Sequence, residues 1–250
     1  MIYLGIDPTA GRRPLNYALL DGSLALLAEG ECQTAELLKL IAPYPDIVCA
    51  VDAPRLPNQG LMADPAVRAR LGLPPNSETW AQYRVCEYEL RRRNIKLYNT
   101  PAQTAKAPTW MKAGWKLYDQ LRAAGFQTYP ASAPRTFFEA HPHATFTALL
   151  GVVPYDKATL EGRLQRQLLL YDEGVGVPDA MGFFEEITRH SILEGAIRLN
   201  GLRTHDQLDA LASALTAHYA HTRSDRITLV GDPADGHIVV PVRELKERYS

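Results

Sequence analysis

Short apolar runs separated by turn signals mark the N-terminal part of the chain. Residues 2–7, 15–21 and 24–30 predict three strands, and Asp21-Gly22 between the second and third is the two-residue turn that hairpins prefer. Residues 33–42 carry helical spacing and stop before Pro43. The continuous run at 47–52, Ile-Val-Cys-Ala-Val-Asp, predicts a buried strand in a parallel setting, because it lacks the polar alternation of a half-exposed one. The N-terminal order is therefore three strands, a helix and a fourth strand.

Periodicity weakens from Ala53 to Ser77, where five prolines predict loop. Helices are predicted over 78–93, with Ser77 as N-cap, and over 109–124, with Gly125 closing the end. A short strand at 136–140 and helical stretches near 158–170 and 180–198 follow. The strongest helix runs from Thr204 to about His221, where Leu208, Leu211, Ala212 and Leu215 share one face. A hairpin pairs 226–230 with 237–241 across Gly-Asp-Pro-Ala-Asp-Gly.

With 250 residues and 46% hydrophobic content, the chain suits one α/β domain of residues 1–250 with an insertion over 53–135. The formal charge of −1 gives no global sign of a polyanion partner, but its distribution does. Between Arg55 and Arg122 there are 12 Lys or Arg against 5 Asp or Glu, a local +7, and all three tryptophans (Trp80, Trp110, Trp115) fall there. A solvated helical face produces the same asymmetry, so both readings stand. Cys32, Cys49 and Cys86 have no metal-binding spacing. Asp7 interrupts the apolar start too early for a signal peptide, and no uncharged run reaches membrane-spanning length. The expectation is a cytoplasmic protein without a membrane partner.

Candidate chemistry lies in the carboxylates. Asp7 and Asp52 close the two apolar strands whose ends, in an open α/β sheet, gather ligands. An Asp before Pro8 or two residues before Pro54 is also an ordinary turn former. Asp206 and Asp209 lie three apart at the start of the 204–221 helix, on one side of its first turn. Thr204 or Asp206 suits a cap, whereas Asp209 sits among Leu208, Ala210, Leu211 and Ala212 and there needs a partner. Converging carboxylates raise one another's pKa unless a cation lies between them, and such hard oxygen ligands suit Mg²⁺ or Mn²⁺. Glu139 interrupts an apolar strand, so it either faces solvent or supports the site. His141 and His143 are a weak transition-metal pair because Pro142 separates them. Arg84, Glu87 and Arg91 at i, i+3 and i+7 make either a salt-bridged face or phosphate contacts. Among the motifs sought, the chain carries no Walker loop, Rossmann fingerprint, nucleophile elbow or zinc-finger spacing.

The blocks Gly-Ile-Asp, Val-Asp-Ala-Pro, Arg-Val-Cys-Glu, Phe-Glu-Ala-His-Pro and Asp-Gln-Leu-Asp-Ala-Leu occur in this order between residues 2 and 221. Together they resemble a bacterial and archaeal family of predicted RNase H-like nucleases, and the segment from Lys157 to Leu168, with Gly162 and Arg166, fits the same pattern. The last helix alone is similar to that of Holliday-junction resolvases. The resemblance implies an RNase H-like mixed five-stranded sheet, ordered 3-2-1-4-5 and flanked by helices. It implies that Asp7, Asp52, Asp206 and Asp209 hold two Mg²⁺ or Mn²⁺ ions, with Glu139 in support. DNA or RNA would be hydrolysed, with Arg84, Glu87, Arg91 and Lys157 at the substrate and a homodimer left open as the active form. Two rival readings share the topology: an actin- or sugar-kinase-type phosphotransferase, for which Asp7-Pro-Thr-Ala-Gly-Arg is a poor phosphate loop, and a non-catalytic scaffold.

Overall fold

A computed structural model describes residues 1–9, 13–75, 77–185, 187, 189–195 and 201–250. Strands β1 (Ile2–Asp7), β2 (Leu15–Leu20) and β3 (Leu26–Cys32) form an antiparallel meander, followed by helix α1 (Thr34–Ile41) and strand β4 (Ile47–Val51). Helices α2 (Pro65–Arg70), α3 (Val85–Arg92) and α4 (Thr109–Ala123) lead to the two-residue β5 (Gln127–Thr128) and to β6 (Arg135–Ala140). Helices α5 (Pro142–Leu150), α6 (Leu160–Asp172), α7 (Gly182–Glu185), α8 (Arg189–Leu193) and α9 (His205–Thr222) precede the hairpin of β7 (Thr228–Asp232) and β8 (Gly236–Val240).

All the strands join one mixed sheet in the order β3-β2-β1-β4-β6-β8-β7, with β5 against the start of β6. β1 and β4 are parallel, as are β4 and β6. The mixed α/β sheet with helices on both faces agrees with the sequence, but the sheet is wider than the five strands expected. The C-terminal hairpin extends it, with β8 parallel to β6 through Glu139–Ile238 and Ala140–Val239.

Strand alternation sorts two cores. Tyr3, Val48, Ala50, Phe138 and Ala140 face α9, with Phe146 of α5 and Leu170 of α6. Leu4, Ile6, Cys49, Val51 and Phe137 face the opposite layer, where Leu37 and Ile41 of α1 meet Leu117, Tyr118 and Leu121 of α4. Thus α4, expected in a peripheral insertion, covers the sheet. α3, by contrast, starts at Val85 rather than 78, and Val85 and Tyr88 join Met62 in a small separate core with Val67 of α2.

Three expectations change in detail. The prolines at 65 and 142 open helices α2 and α5, the first in a stretch whose prolines predict loop and the second where no element is predicted. Proline suits a first helical turn, where its missing N–H costs nothing. The stretch 180–198 holds the short α7 and α8, and its remainder near 186, 188 and 196–198 lies outside the described residues. β3 starts at Leu26, because Leu24 takes a left-handed conformation (φ 66°) that ends the turn.

Candidate metal centre

Gly5 allows the closest contact behind the site. A β-carbon there would lie 1.9 Å from the Ala210 carbonyl oxygen and 2.4 Å from the Ala214 nitrogen, so α9 lies directly on β1 only because position 5 lacks a side chain. The helix can approach because the face it turns to β1 is rich in alanine: Ala210, Ala214 and Ala217 are each fully buried. Its start is fixed by a capping box in which the Gln207 N–H donates to Thr204 Oγ1 (3.3 Å) and the Thr204 N–H donates to Gln207 Oε1 (2.9 Å). Thr204 takes the cap, so neither Asp206 nor Asp209 is needed for it.

Register then brings the acids together. Side chains of alternate strand residues share a face, so Asp7 follows Tyr3 and Gly5 toward α9, and Asp52 follows Val48 and Ala50. In the parallel β1–β4 ladder Ile6 pairs with Val51, and the Asp52 N–H donates to the Ile6 carbonyl (2.9 Å), so Asp7 and Asp52 are lateral neighbours. Asp209, one residue before the contact at Ala210, completes the group from above and is only 3% exposed.

Burial dominates the electrostatics of these groups. Burial raises the Asp7 pKa to about 9, and the charges of Asp52, Asp209 and Asp206 push it the same way while Lys157 opposes them. Burial likewise raises Asp209, against the pull of Lys157 and with the further push of Asp52. The Lys157 ammonium donates to Asp209 Oδ2 at 2.6 Å and is half exposed, a counter-charge that can leave. His141 Nδ1 stands 3.5 Å from Asp52 Oδ1, while its Nε2 contacts the Lys96 carbonyl at 3.0 Å. Burial lowers His143 to about 3, helped by His141, Arg166 and Lys157, so that ring stays neutral. Asp7, Pro8, Asp52, Tyr98, Trp110, His141 and Lys157 line a pocket of about 270 Å³ over this point.

His205, Asp206 and Asp209 also form a set whose ligand atoms lie within 4.8 Å of one another. Among the described residues this is the set that closes to that distance, and Asp209 joins it to the wider group of Asp7 and Asp52. Buried like charges that destabilise one another's ionised forms, with an imidazole beside them, fit divalent cations chemically. His205 had a sequence signal, four positions before Asp209 on the same helix. His141 was weighed in the sequence only as a partner of His143; its place beside Asp52 had no signal.

Glu139 is elsewhere, and the register explains why. It pairs with Val51, not Asp52, and shares the Phe137 face of β6, so it points away from α9. There it accepts two hydrogen bonds from the Arg84 guanidinium (2.9 and 2.5 Å) and one from the Arg55 N–H (2.7 Å). Arg84 also donates to Glu87 (2.9 Å), and all three side chains are 0% exposed. The expected contacts of Arg84 and Glu87 with substrate are therefore corrected: both are enclosed and already partnered, and Glu139 supports this network rather than the carboxylate cluster. Arg91 donates to the Leu97 carbonyl and lies over the Tyr83 ring at 4.9 Å, so it too is engaged within the protein. Lys157 is the one of the four that reaches the cluster. Arg68 adds to the internally bonded cations of the basic stretch, whereas Lys96, Lys112 and Lys116 stand exposed on clefts.

Among the described residues, no helix is long and apolar enough to cross a membrane. A family model described as "Protein of unknown function (DUF429)" matches residues 5–235. No curated protein and no solved structure matches the chain.

Proposed function

The chain belongs to that DUF429 family, and we propose that it is an RNase H-like, divalent-metal-dependent nuclease that hydrolyses phosphodiester bonds of DNA or RNA. One observation carries the reading: Asp7 and Asp52 end two adjacent parallel strands beside the buried Asp209 of the helix, and burial, then the charges of these neighbours, raises Asp7. A purely structural cluster would gain from losing one of these charges, whereas a cation site requires them. The segment β3-β2-β1-β4-β6 supports the RNase H-like assignment, with the acids at the carboxyl ends of its two central parallel strands.

Asp7, Asp52 and Asp209 would hold one Mg²⁺ or Mn²⁺, and Asp209 with Asp206 and His205 a second, with the imidazole favouring Mn²⁺. When bound, such ions activate water and stabilise the leaving oxygen of a phosphodiester. The protein's own groups do the rest. Asp7 and Asp209 give up protons as cations enter. Lys157, displaced from Asp209, is free to turn its ammonium to a phosphate oxygen. His141 beside Asp52 holds that carboxylate in place. Tyr98 and Trp110, with ring centroids 4.8 Å apart on the pocket wall, offer aromatic surface to a base.

The test is hydrolysis of labelled single-stranded, duplex, hybrid and branched nucleic acids with Mg²⁺ or Mn²⁺, comparing the wild type with Asp7→Asn. Metal-dependent cutting that disappears in the variant is expected. An inert wild type across the panel, or a variant as active as the wild type, would overturn the proposal.

A further inference from the structure

The carboxylate pocket is the middle of a longer depression. It shares Pro8 with a cleft of about 450 Å³ on one side, and Asp52, His141 and Lys157 with a cleft of about 410 Å³ on the other. The first cleft lies between the start of α1 and one stripe of α4. Arg13, Lys112 and Lys116 line it, and among the described residues no Asp or Glu does. Lys112 and Lys116 are one helical turn apart on the same face, both exposed, with Lys112 steadied by the Ala105 carbonyl (2.8 Å). Gln33 and Thr34, at the start of α1, add neutral donors to the same wall. On the far side Lys96, Lys157 and Arg166 line the second cleft together with Asp52, Asp156 and Asp209, so its charge is mixed. The carboxylates thus adjoin a cationic cleft at Pro8 and a cleft of mixed charge at Asp52, His141 and Lys157.

We propose that a single nucleic-acid strand lies along this whole depression, with backbone phosphates held by Arg13, Lys112 and Lys116, so that the protein cuts within a strand rather than trimming its ends. The inference rests on the hydrolase reading for the cut but not for the path. A strand running past the carboxylates in both directions needs a cation on each side: Arg13, Lys112 and Lys116 stand on one and the exposed Lys96 on the other. A site that trims ends needs the chain to stop at the carboxylates. Single strands suit the depression because Tyr98 and Trp110, in edge-type contact on the wall of the middle pocket, present aromatic surface to an unpaired base.

Binding of fluorescein-labelled single-stranded oligodeoxynucleotides and oligoribonucleotides, followed by anisotropy over a range of salt concentrations, tests the path. The variant Arg13→Gln/Lys112→Gln/Lys116→Gln alters only exposed side chains. It is expected to bind about tenfold or more weakly, with the slope of log affinity against log salt reduced by about 2, since each phosphate contact on a single strand contributes roughly 0.7. A charge-matched variant, Lys39→Gln/Arg243→Gln/Arg248→Gln, should bind like the wild type. A cleft variant that binds and responds to salt like the wild type, or a wild type that binds neither oligonucleotide, overturns the path. For the cut, a covalently closed single-stranded circle is incubated with Mn²⁺ beside its linear form. Cutting of both supports internal cleavage, and cutting of the linear form alone overturns it. Binding that depends on the cleft, with neither form cut, would overturn the hydrolase reading while leaving the strand path standing.

Discussion

Replacing Gly5 by alanine should be among the most damaging single-methyl additions in this protein. The new β-carbon would lie 1.9 Å from the Ala210 carbonyl oxygen and 2.4 Å from the Ala214 nitrogen. Ordinary van der Waals contact begins near 3.4 Å, so β1 and α9 must separate by about 1.5 Å. Neither contact is a side-chain tip that can rotate aside: both atoms belong to one i, i+4 backbone hydrogen bond of the helix. Overpacking a core costs about 1–3 kcal/mol, and a clash with backbone belongs at or above the top of that range. At about 3 kcal/mol the melting temperature of a domain this size should fall by roughly 6–12 °C. Because Asp209 precedes Ala210, the same displacement moves a carboxylate away from Asp7, so the Mn²⁺-induced rise in melting temperature should shrink too. Urea denaturation and thermal melting with and without Mn²⁺ give both quantities. Stability within about 0.5 kcal/mol of the wild type, together with an unchanged Mn²⁺ response, would refute the argument that the glycine brings helix and strand into register.

Arg84→Met should destabilise by about 3–5 kcal/mol in urea denaturation, because it leaves Glu87 and Glu139 buried without their cation; a loss under about 1 kcal/mol would contradict that account. In the metal-free protein Asp7 should contribute stability that is lost as pH rises from about 4 to about 9, opposed in the acid part of that window by the neutral His143. In that window the folded Asp7, with its raised pKa, still holds a proton that the unfolded chain has released. Asp7→Asn should flatten this slope in pH-dependent melts, and an identical slope in the variant would count against it. Lys157→Met removes the counter-charge of Asp209; since Lys157 is half exposed, about 1–2 kcal/mol of destabilisation is expected without metal, recovered on adding Mn²⁺. A loss that Mn²⁺ leaves untouched would show that lysine and cation do not serve the same carboxylate.

Asp7 and Asp52 were legible in the sequence because each ends an apolar run, and alternation along a strand then fixes which face a side chain takes. Asp209 was legible as a polar residue on a helix otherwise buried on every side. Glu139 shows where local pattern stops. Its face depends on pairing with Val51 rather than Asp52, a one-residue matter of register between strands more than eighty residues apart, which no local pattern encodes. Arg84 and Glu87 were correctly seen as helical neighbours at i, i+3, but charge spacing reads the same on a solvated face and inside a buried network. The partner that decides between them, Glu139, lies 55 positions away. Gly5 was visible only as part of a strand, although the approach of α9 depends on it. The +7 stretch likewise gave a sum without directions: its arginines at 68, 84 and 91 bond internally, while its lysines at 96, 112 and 116 line the clefts.

The central claim is that these carboxylates exist to hold cations. Titrating Mn²⁺ into the wild type and into Asp209→Asn by calorimetry tests it most directly, because Asp209 belongs to the set with His205 and Asp206 and adjoins Asp7. The substitution keeps shape and, with Thr204 already the cap, should leave the helix start intact. Saturable binding by the wild type, accompanied by proton release and lost in the variant, is the predicted result. Equal Mn²⁺ binding by both proteins, or none by the wild type, would contradict it.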